Sequence, residues 1–330
     1  MEWKSCRQDF HSIMEEEQEM QSRRDKSSQY CHFEAPRRSR AKVLLGLLGH
    51  MFVNPIVLVP GLIFMLIYCC AVATLNHCAP QWQFNSSKDA LSMSSLAISL
   101  VMGLRTASSY ERWWEGRKLW GRLVSDCRNV ALQVCEYATL TEAERNKIAD
   151  LLKLFALCLK DHLRDTRYDL SSRDFGPDDS VRHLPVYIAQ LLHREFNDIA
   201  SENRIPENVS LAVLESLRGM METCGGCERL KSTPIVGWFR VSIWLWLSIY
   251  LLLLPWLMVP TFGFWMIPLV MLASYFAIAL ESTVEQLQEP FGYDINDLTL
   301  DAICAGIEKT LAQVVELSHR NVNALKTNNL

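Results

Sequence analysis

Aspartate, glutamate and lysine are missing from residues 43–75, 90–104 and 235–280, the most apolar parts of this 330-residue chain. That absence leaves no proton relay and no coupling-ion cage of the kind that pumps and many secondary transporters build inside a membrane. Excess positive charge is missing too. The net charge is −4, so no basic field points to nucleic acid. The chain has no pair of histidines placed for haem, no nucleophile motif and no glycine-rich phosphate loop, so an enzyme is not expected. Eleven cysteines are present, but a disulfide framework belongs to short secreted chains. Cys69, Cys70 and Cys158 lie in apolar runs, where a free thiol acts as a small hydrophobe. Cys224-Gly-Gly-Cys227 has no second CxxC or histidine pair beside it, so structural thiols at a Gly-Gly helix break are expected rather than a redox or zinc site. The first 40 residues lack an apolar core and carry Glu15, Glu16, Glu17 and Glu19, unlike a secretory signal or an acid-poor transit peptide. A polar cytosolic lead-in over 1–42 is the expectation.

What is there, in contrast, is long apolar sequence. Residues 43–75 hold a single histidine, His50, and exceed the ~20 residues that a helix needs to cross a bilayer. Asn54-Pro55 and Pro60-Gly61 predict a kink or an interfacial first turn there. A turn-rich connector, 76–89, leads to a second uncharged segment at 90–104. Residues 235–280 supply two more, broken at Pro255, Pro260 and Gly263, with Arg240 their one charge. Four spans result: two within 43–110 and two within 235–280. Arg37, Arg38, Arg40 and Lys42 precede the first span, whereas the connector has only Lys88, which places both termini in the cytosol. The competing reading is a soluble helical protein with buried helices.

Between 111 and 234 the texture changes to charged residues with apolar ones at helical spacing, as in Ile148, Leu151, Leu152, Phe155 and Leu159. This part is expected to be a cytosolic helical domain. Thr141 with Glu144 reads as a capping box. Residues 169–180 read as a loop, 185–200 and 208–223 as further helices, and 281–330 as a polar, mostly helical cytosolic tail.

The second span carries the chemistry. Leu96, Leu100 and Leu104 recur every four residues along one face, with Ser92, Ser99 and Gly103 beside them. Small and hydroxylated residues let helices approach closely or line water, and spacing alone does not separate packing from a pore. The missing ionisable groups favour a passive hydrophobic constriction, which gates by dewetting. One helix per subunit encloses nothing, so a conducting form needs cyclic symmetry. No turn signal separates this span from Arg112, Arg117, Lys118 and Arg122, so a single helix should run on into the cytosol. Trp113, Trp114 and Trp120 suit the membrane interface or the junction between layers.

Three motifs carry a family resemblance. "GLRTASSYERWWEGRKLWG" at 103–121, "GGCERLKSTPI" at 225–235 and "EQLQEPFGYDINDLTLDAIC" at 285–304 resemble, in order, segments of the bestrophin channels, especially their bacterial-type branch. The resemblance spans about 43–315. It implies an all-α integral membrane protein, a homopentamer with four transmembrane helices per subunit, a helical cytosolic part and a central pore for chloride and other monovalent anions. The resemblance sets the pore neck at Leu96, Leu100 and Leu104, and a cytosolic aperture near Ile205 and Val209. Arg105 falls at the pore mouth, or pairs instead with Glu111 or Glu115. Animal members bind calcium through acids after Pro-Phe-Gly. Asp294 and Asp297 match two of these and Glu289 is a third candidate, the alternative being a turn in which Asp297 caps the following helix. No other cofactor is implied. Expected partners are membrane lipid, further copies of the chain and the permeant ion, in the cell membrane. Conduction of monovalent cations and a non-conducting membrane scaffold remain the competing functions.

Overall fold

The computed structural model describes residues 55–79, 88–170, 181–233, 237–294 and 296–328. The lead-in 1–42, the start of the first span, residues 80–87 of the connector and residues 171–180 of the expected loop lie outside the described residues. All regular structure among the described residues is helical. The helices are α1 Pro55–Cys78, α2 Lys88–Tyr137, α3 Glu142–Leu163, α4 Leu184–Ser201, α5 Glu207–Ser232, α6 Gly237–Phe262, α7 Met266–Gln288 and α8 Leu300–Asn328.

Helix α2 organises the rest. Its 50 residues contain no proline, so nothing removes an amide donor along its length. At 1.5 Å per residue it is ~75 Å long, more than twice a bilayer's hydrocarbon core. Its apolar and charged halves are one helix, as their sequence predicts. Residues Trp120, Leu123, Cys127, Val130 and Val134 follow one another at steps of three or four and form the spine of a fully buried core. Phe155 and Leu159 of α3, Ile188 and Leu192 of α4, Leu217 and Met220 of α5, and Cys304 and Ile307 of α8 pack around it.

Several expectations change here. Trp120 is not interfacial, because its indole fills this core. Gly225-Gly226 does not break a helix: α5 runs through both. A Cβ at Gly226 would lie 2.8 Å from the Leu119 side chain, so the glycine is there to let α5 approach α2. Cys224 and Cys227 are buried free thiols, and burial pushes both above the usual thiol range, Cys227 to about 12. They have the inert character of core cysteines rather than the lowered pKa of a reactive one.

A second cluster joins α1, α6 and α7 through Met65, Cys69, Val72, Leu247, Leu251, Val259, Met266 and Val270. Tyr68 donates to the Leu252 carbonyl at 2.9 Å and accepts from Trp256 Nε1 at 2.8 Å. Two stretches among the described residues are long and apolar enough to cross a membrane: Leu58–Cys78 and the 52-residue Gly237–Gln288. The second stretch is two helices, folded back at the 3-10 turn Gly263–Trp265, where Gly263 takes φ +52°. Pro255 and Pro260 do not break it. Both lie inside α6, near its end, and the reversal waits for the glycine. Trp238, Trp244, Trp246, Trp265 and Phe276 point outward, uncovered by the chain itself.

The capping box is present. Thr141 Oγ1 accepts from the Glu144 amide at 3.3 Å, and Glu144 Oε2 accepts from the Thr141 amide at 2.8 Å. Arg204, from the α4–α5 connection, donates to both carboxylate oxygens at 2.9–3.0 Å. These bonds, Arg204's first, hold the Glu144 carboxyl down to about 2. A carboxyl lowered on folding stabilises above its unfolded value and loses that contribution as pH falls through its folded value. Thermal melting followed by circular dichroism should therefore weaken between about pH 4.5 and 2. Glu144→Gln should cost about 1 kcal/mol at neutral pH and flatten that acid limb. An acid limb unchanged in the variant would remove Glu144 as its source.

Candidate functional site

Helix α2 has two faces in its upper half. Met102, Arg105, Ser109 and Gly116 lie on its buried side, in register with the Trp120 spine. At 100° per residue, Leu96, Leu100 and Leu104 fall roughly opposite. They are 71%, 63% and 65% exposed, with nothing from the described residues packed over them. Ser99 and Gly103 are exposed beside them, and no atom lies within 4 Å of where a Gly103 Cβ would be. The Ser92 side chain lies outside the described residues. The same face continues downward through Ala107, Glu111, Trp114, Lys118 and Arg122, all exposed. The neck residues of the sequence reading thus share one free surface, whose lower end is charged.

Arg105 is not part of it. The step from Leu104 turns the side chain to the opposite side, where it is 2% exposed and Nη1 meets Glu281 of α7 at 2.5 and 2.7 Å. The alternatives Glu111 and Glu115 are not its partners either, and Glu115 pairs with Arg229 at 2.5 Å. Arg105 is therefore a packing residue, corrected from the pore mouth. Ile205 is corrected as well. It is 8% exposed and belongs to the chain's own cytosolic core, so it cannot line an aperture; Val209 is half-buried against the same core.

The sequence reading left Arg112 in solvent, and the structure places it at a junction. Its Nη2 and Nη1 donate to the Leu230 and Thr233 carbonyls at the end of α5, at 2.7 and 2.8 Å, and its Nε to the Gln288 carbonyl at the end of α7, at 3.2 Å. Desolvation lowers its pKa, opposed by Glu115 and Glu289, but a guanidinium stays charged. Beside it, Trp113 Nε1 donates to the Asn296 carbonyl at 3.0 Å. The signal that could have found this cluster is the heptad step: Arg105 and Arg112 are seven apart, on the side that becomes apolar further down.

The acidic turn after α7 is compact. Asp297 Oδ2 accepts from the Asp294 amide at 2.7 Å, and burial raises the Asp297 carboxyl to about 6. Asp297 does not cap α8, which begins at Leu300; it closes the turn ahead of it. Among the described residues, the ligand atoms of three His, Cys, Asp or Glu side chains come within 4.8 Å of one another at His162, His183 and Glu228. Glu289, Asp294 and Asp297 do not form such a group. No spacing in the sequence announced the His162 cluster, because its members lie on three elements.

A family model described as bacterial/fungal bestrophin protein matches residues 35–313. The chain belongs to that family. This bestrophin is 29% identical over 271 residues to a voltage-dependent anion channel-forming protein of Nostoc, covering 78% of this chain and 88% of that one. It is 30% identical over 234 residues to the voltage-dependent anion channel-forming protein of Escherichia coli K12, covering 68% and 75%. A point mutant of a bacterial bestrophin homologue from Klebsiella pneumoniae has the same fold, with a TM-score of 0.72, 23% identity and coverage of 78% and 98%.

The Arg105–Glu281 pair gives a direct test of its packing role. Arg105→Gln or Glu281→Gln alone should lower stability by about 3–5 kcal/mol, since each leaves a buried charge unpaired. Arg105→Met with Glu281→Leu should recover most of it. Melting of the purified protein in detergent checks both. An Arg105→Gln channel of unchanged stability but altered ion selectivity would return the side chain to the pore mouth.

Proposed function

We propose that this bestrophin is a passive channel for chloride and other monovalent anions, a homopentamer with the Leu96–Leu100–Leu104 face of α2 turned to a central pore. The observation that carries the reading is that face. It is an apolar stripe that the described residues leave bare, on a helix packed tightly on its other side. In a five-fold ring, five such stripes enclose an axis. Leucine rings make a barrier by excluding water rather than by binding ions, and such a gate passes ions when it widens and wets. The anion channel names of the relatives support the sign of the permeant ion.

The same surfaces support the membrane arrangement of this reading. α1, the upper half of α2, α6 and α7 make four crossings in the cell membrane, with both termini cytosolic and the outward tryptophans and phenylalanines against lipid. The charged continuation of α2 extends the pathway below the bilayer. Since Arg105 pairs with Glu281, and Arg122 with Glu222 at 2.8 Å, anion preference arises from pore radius and from charges further down such as Lys118. Cation conduction is the competing outcome, because a hydrophobic ring has no sign of its own.

Current through the purified protein in planar bilayers tests the assignment. Leu96→Ala, Leu100→Ala and Leu104→Ala combined should raise open probability or conductance, and reversal potentials in asymmetric chloride should follow the anion gradient. Wild-type conduction in the triple variant would mean that the stripe faces lipid or another helix, and a cation-following reversal potential would reverse the selectivity. Native mass spectrometry should show five chains, and a monomer or dimer alone would remove the pore. In the same recordings, current should persist with calcium chelated, the acidic turn acting as structure. Loss on chelation, restored by calcium but absent in Asp294→Asn with Asp297→Asn, would make Glu289, Asp294 and Asp297 a regulatory calcium site.

A further inference from the structure

Away from the leucine face, at the rim of the cytosolic core, three chain-distant side chains meet. His162 sits in the last turn of α3, His183 at the N-cap of α4, and Glu228 on α5. Glu228 Oε1 lies 2.9 Å from His162 Nε2 and 2.6 Å from His183 Nε2. The two imidazole rings are 4.5 Å apart, centre to centre. Each side chain is about one-third exposed, so an ion can enter from solvent. On the buried side Cys224 Sγ lies 3.7 Å from the same carboxylate oxygen.

We propose that His162, His183 and Glu228 form a binding site for a single borderline divalent transition metal of the Zn²⁺ class. Two imidazole nitrogens and one carboxylate, with a fourth position open, are the donor set that suits such an ion. Hard cations such as Ca²⁺ or Mg²⁺ want six or more oxygens, which this cluster does not supply. The fourth position falls to water from the open side or to Cys224, whose thiol proton would be released to solvent as the sulfur binds the metal. Without the metal, one carboxylate oxygen accepts from both Nε2–H groups. With it, each ring keeps one proton, now on Nδ1, and the metal takes the Nε2 lone pairs. Metal bonds of ~2.0–2.1 Å open the donors by roughly half an ångström from their hydrogen-bonded spacing.

This exchange has a structural consequence. His183 Nδ1 now accepts the Val186 amide at 3.3 Å, capping α4. Once that nitrogen carries the ring proton, the cap is released. Metal binding would thus tie the end of α3 to α5 while loosening the first turn of α4, and the two effects are separable by experiment.

The test uses the full chain in detergent, stripped with a chelator and titrated with Zn²⁺ by calorimetry and with Co²⁺ by absorption. One equivalent more should bind in wild type than in Glu228→Gln or His162→Gln, or the affinity should fall at least about tenfold. The Co²⁺ complex should show visible bands of low-symmetry coordination, with a sulfur-to-metal band lost in Cys224→Ser if the thiol is the fourth ligand; its absence in wild type assigns water. Hydrogen exchange should protect the end of α3 and expose the Val186 amide. Circular dichroism verifies that each variant is folded, and His183→Gln serves if His162→Gln is not. Zn²⁺ binding unchanged in stoichiometry and affinity in folded variants, or displaced by equimolar Ca²⁺, would overturn the site.

Discussion

One guanidinium holds two layers of this protein together. Arg112 reaches the carbonyl ends of α5 and α7, which arrive from the cytosolic core and from the apolar hairpin respectively. Helix C-termini present unsatisfied carbonyls and a partial negative charge. A planar group with five donors answers several of them at once, where lysine would answer one direction at a time. Because Arg112 sits on α2, both ends are fastened to the one helix that runs through both layers. Arg105–Glu281 repeats the fastening two turns higher. The two pairings share one register, since a shift of α2 by one residue would turn both arginines off their partners.

Fixing one face of α2 so firmly determines the other. The buried side is used from Met102 to Val134, so α2 cannot rotate to hide its leucines within the chain. Their exposure is a cost that the isolated subunit bears in water, since a leucine side chain gains about 1.5–3 kcal/mol on full burial. In the proposed pore the hydrophobic ring would supply the barrier, and the charges further along the same helices whatever preference for ion sign exists.

The sequence made legible those features that depend on local periodicity. The leucine stripe, the unbroken second helix and the Thr141–Glu144 box are all set by residues within a few turns of one another. Features set by distant partners were not legible. Arg105 looked like a mouth residue because Glu281 lies 176 positions away, and Arg112 looked solvated because carbonyl partners leave no mark in sequence. Gly225-Gly226 reads as a break on intrinsic propensity, about 1 kcal/mol per glycine, yet α5 runs through both and Gly226 packs closely against Leu119. Ile205 lies just before α5, in the connection where an aperture was expected, but the core claims it.

Two uncovered apolar surfaces remain, and their chemistry differs. The outer faces of α6 and α7 present Trp244, Trp246, Leu272 and Phe276, and the hydroxyls among them, Ser242 and Ser248, donate to the Trp238 and Trp244 carbonyls of their own helix. Such a surface gains by contact with acyl chains, and its indoles gain by lying near the headgroups. The free face of α2 alternates leucine with Ser99, Gly103 and Ala107. Lipid offers nothing to a serine, whereas a neighbouring helix fits against glycine and alanine and water solvates the hydroxyl. The first surface therefore suits a bilayer, and the second suits copies of the same helix around an aqueous axis, as in the proposed pentamer, a division that one solvent for both faces would not explain.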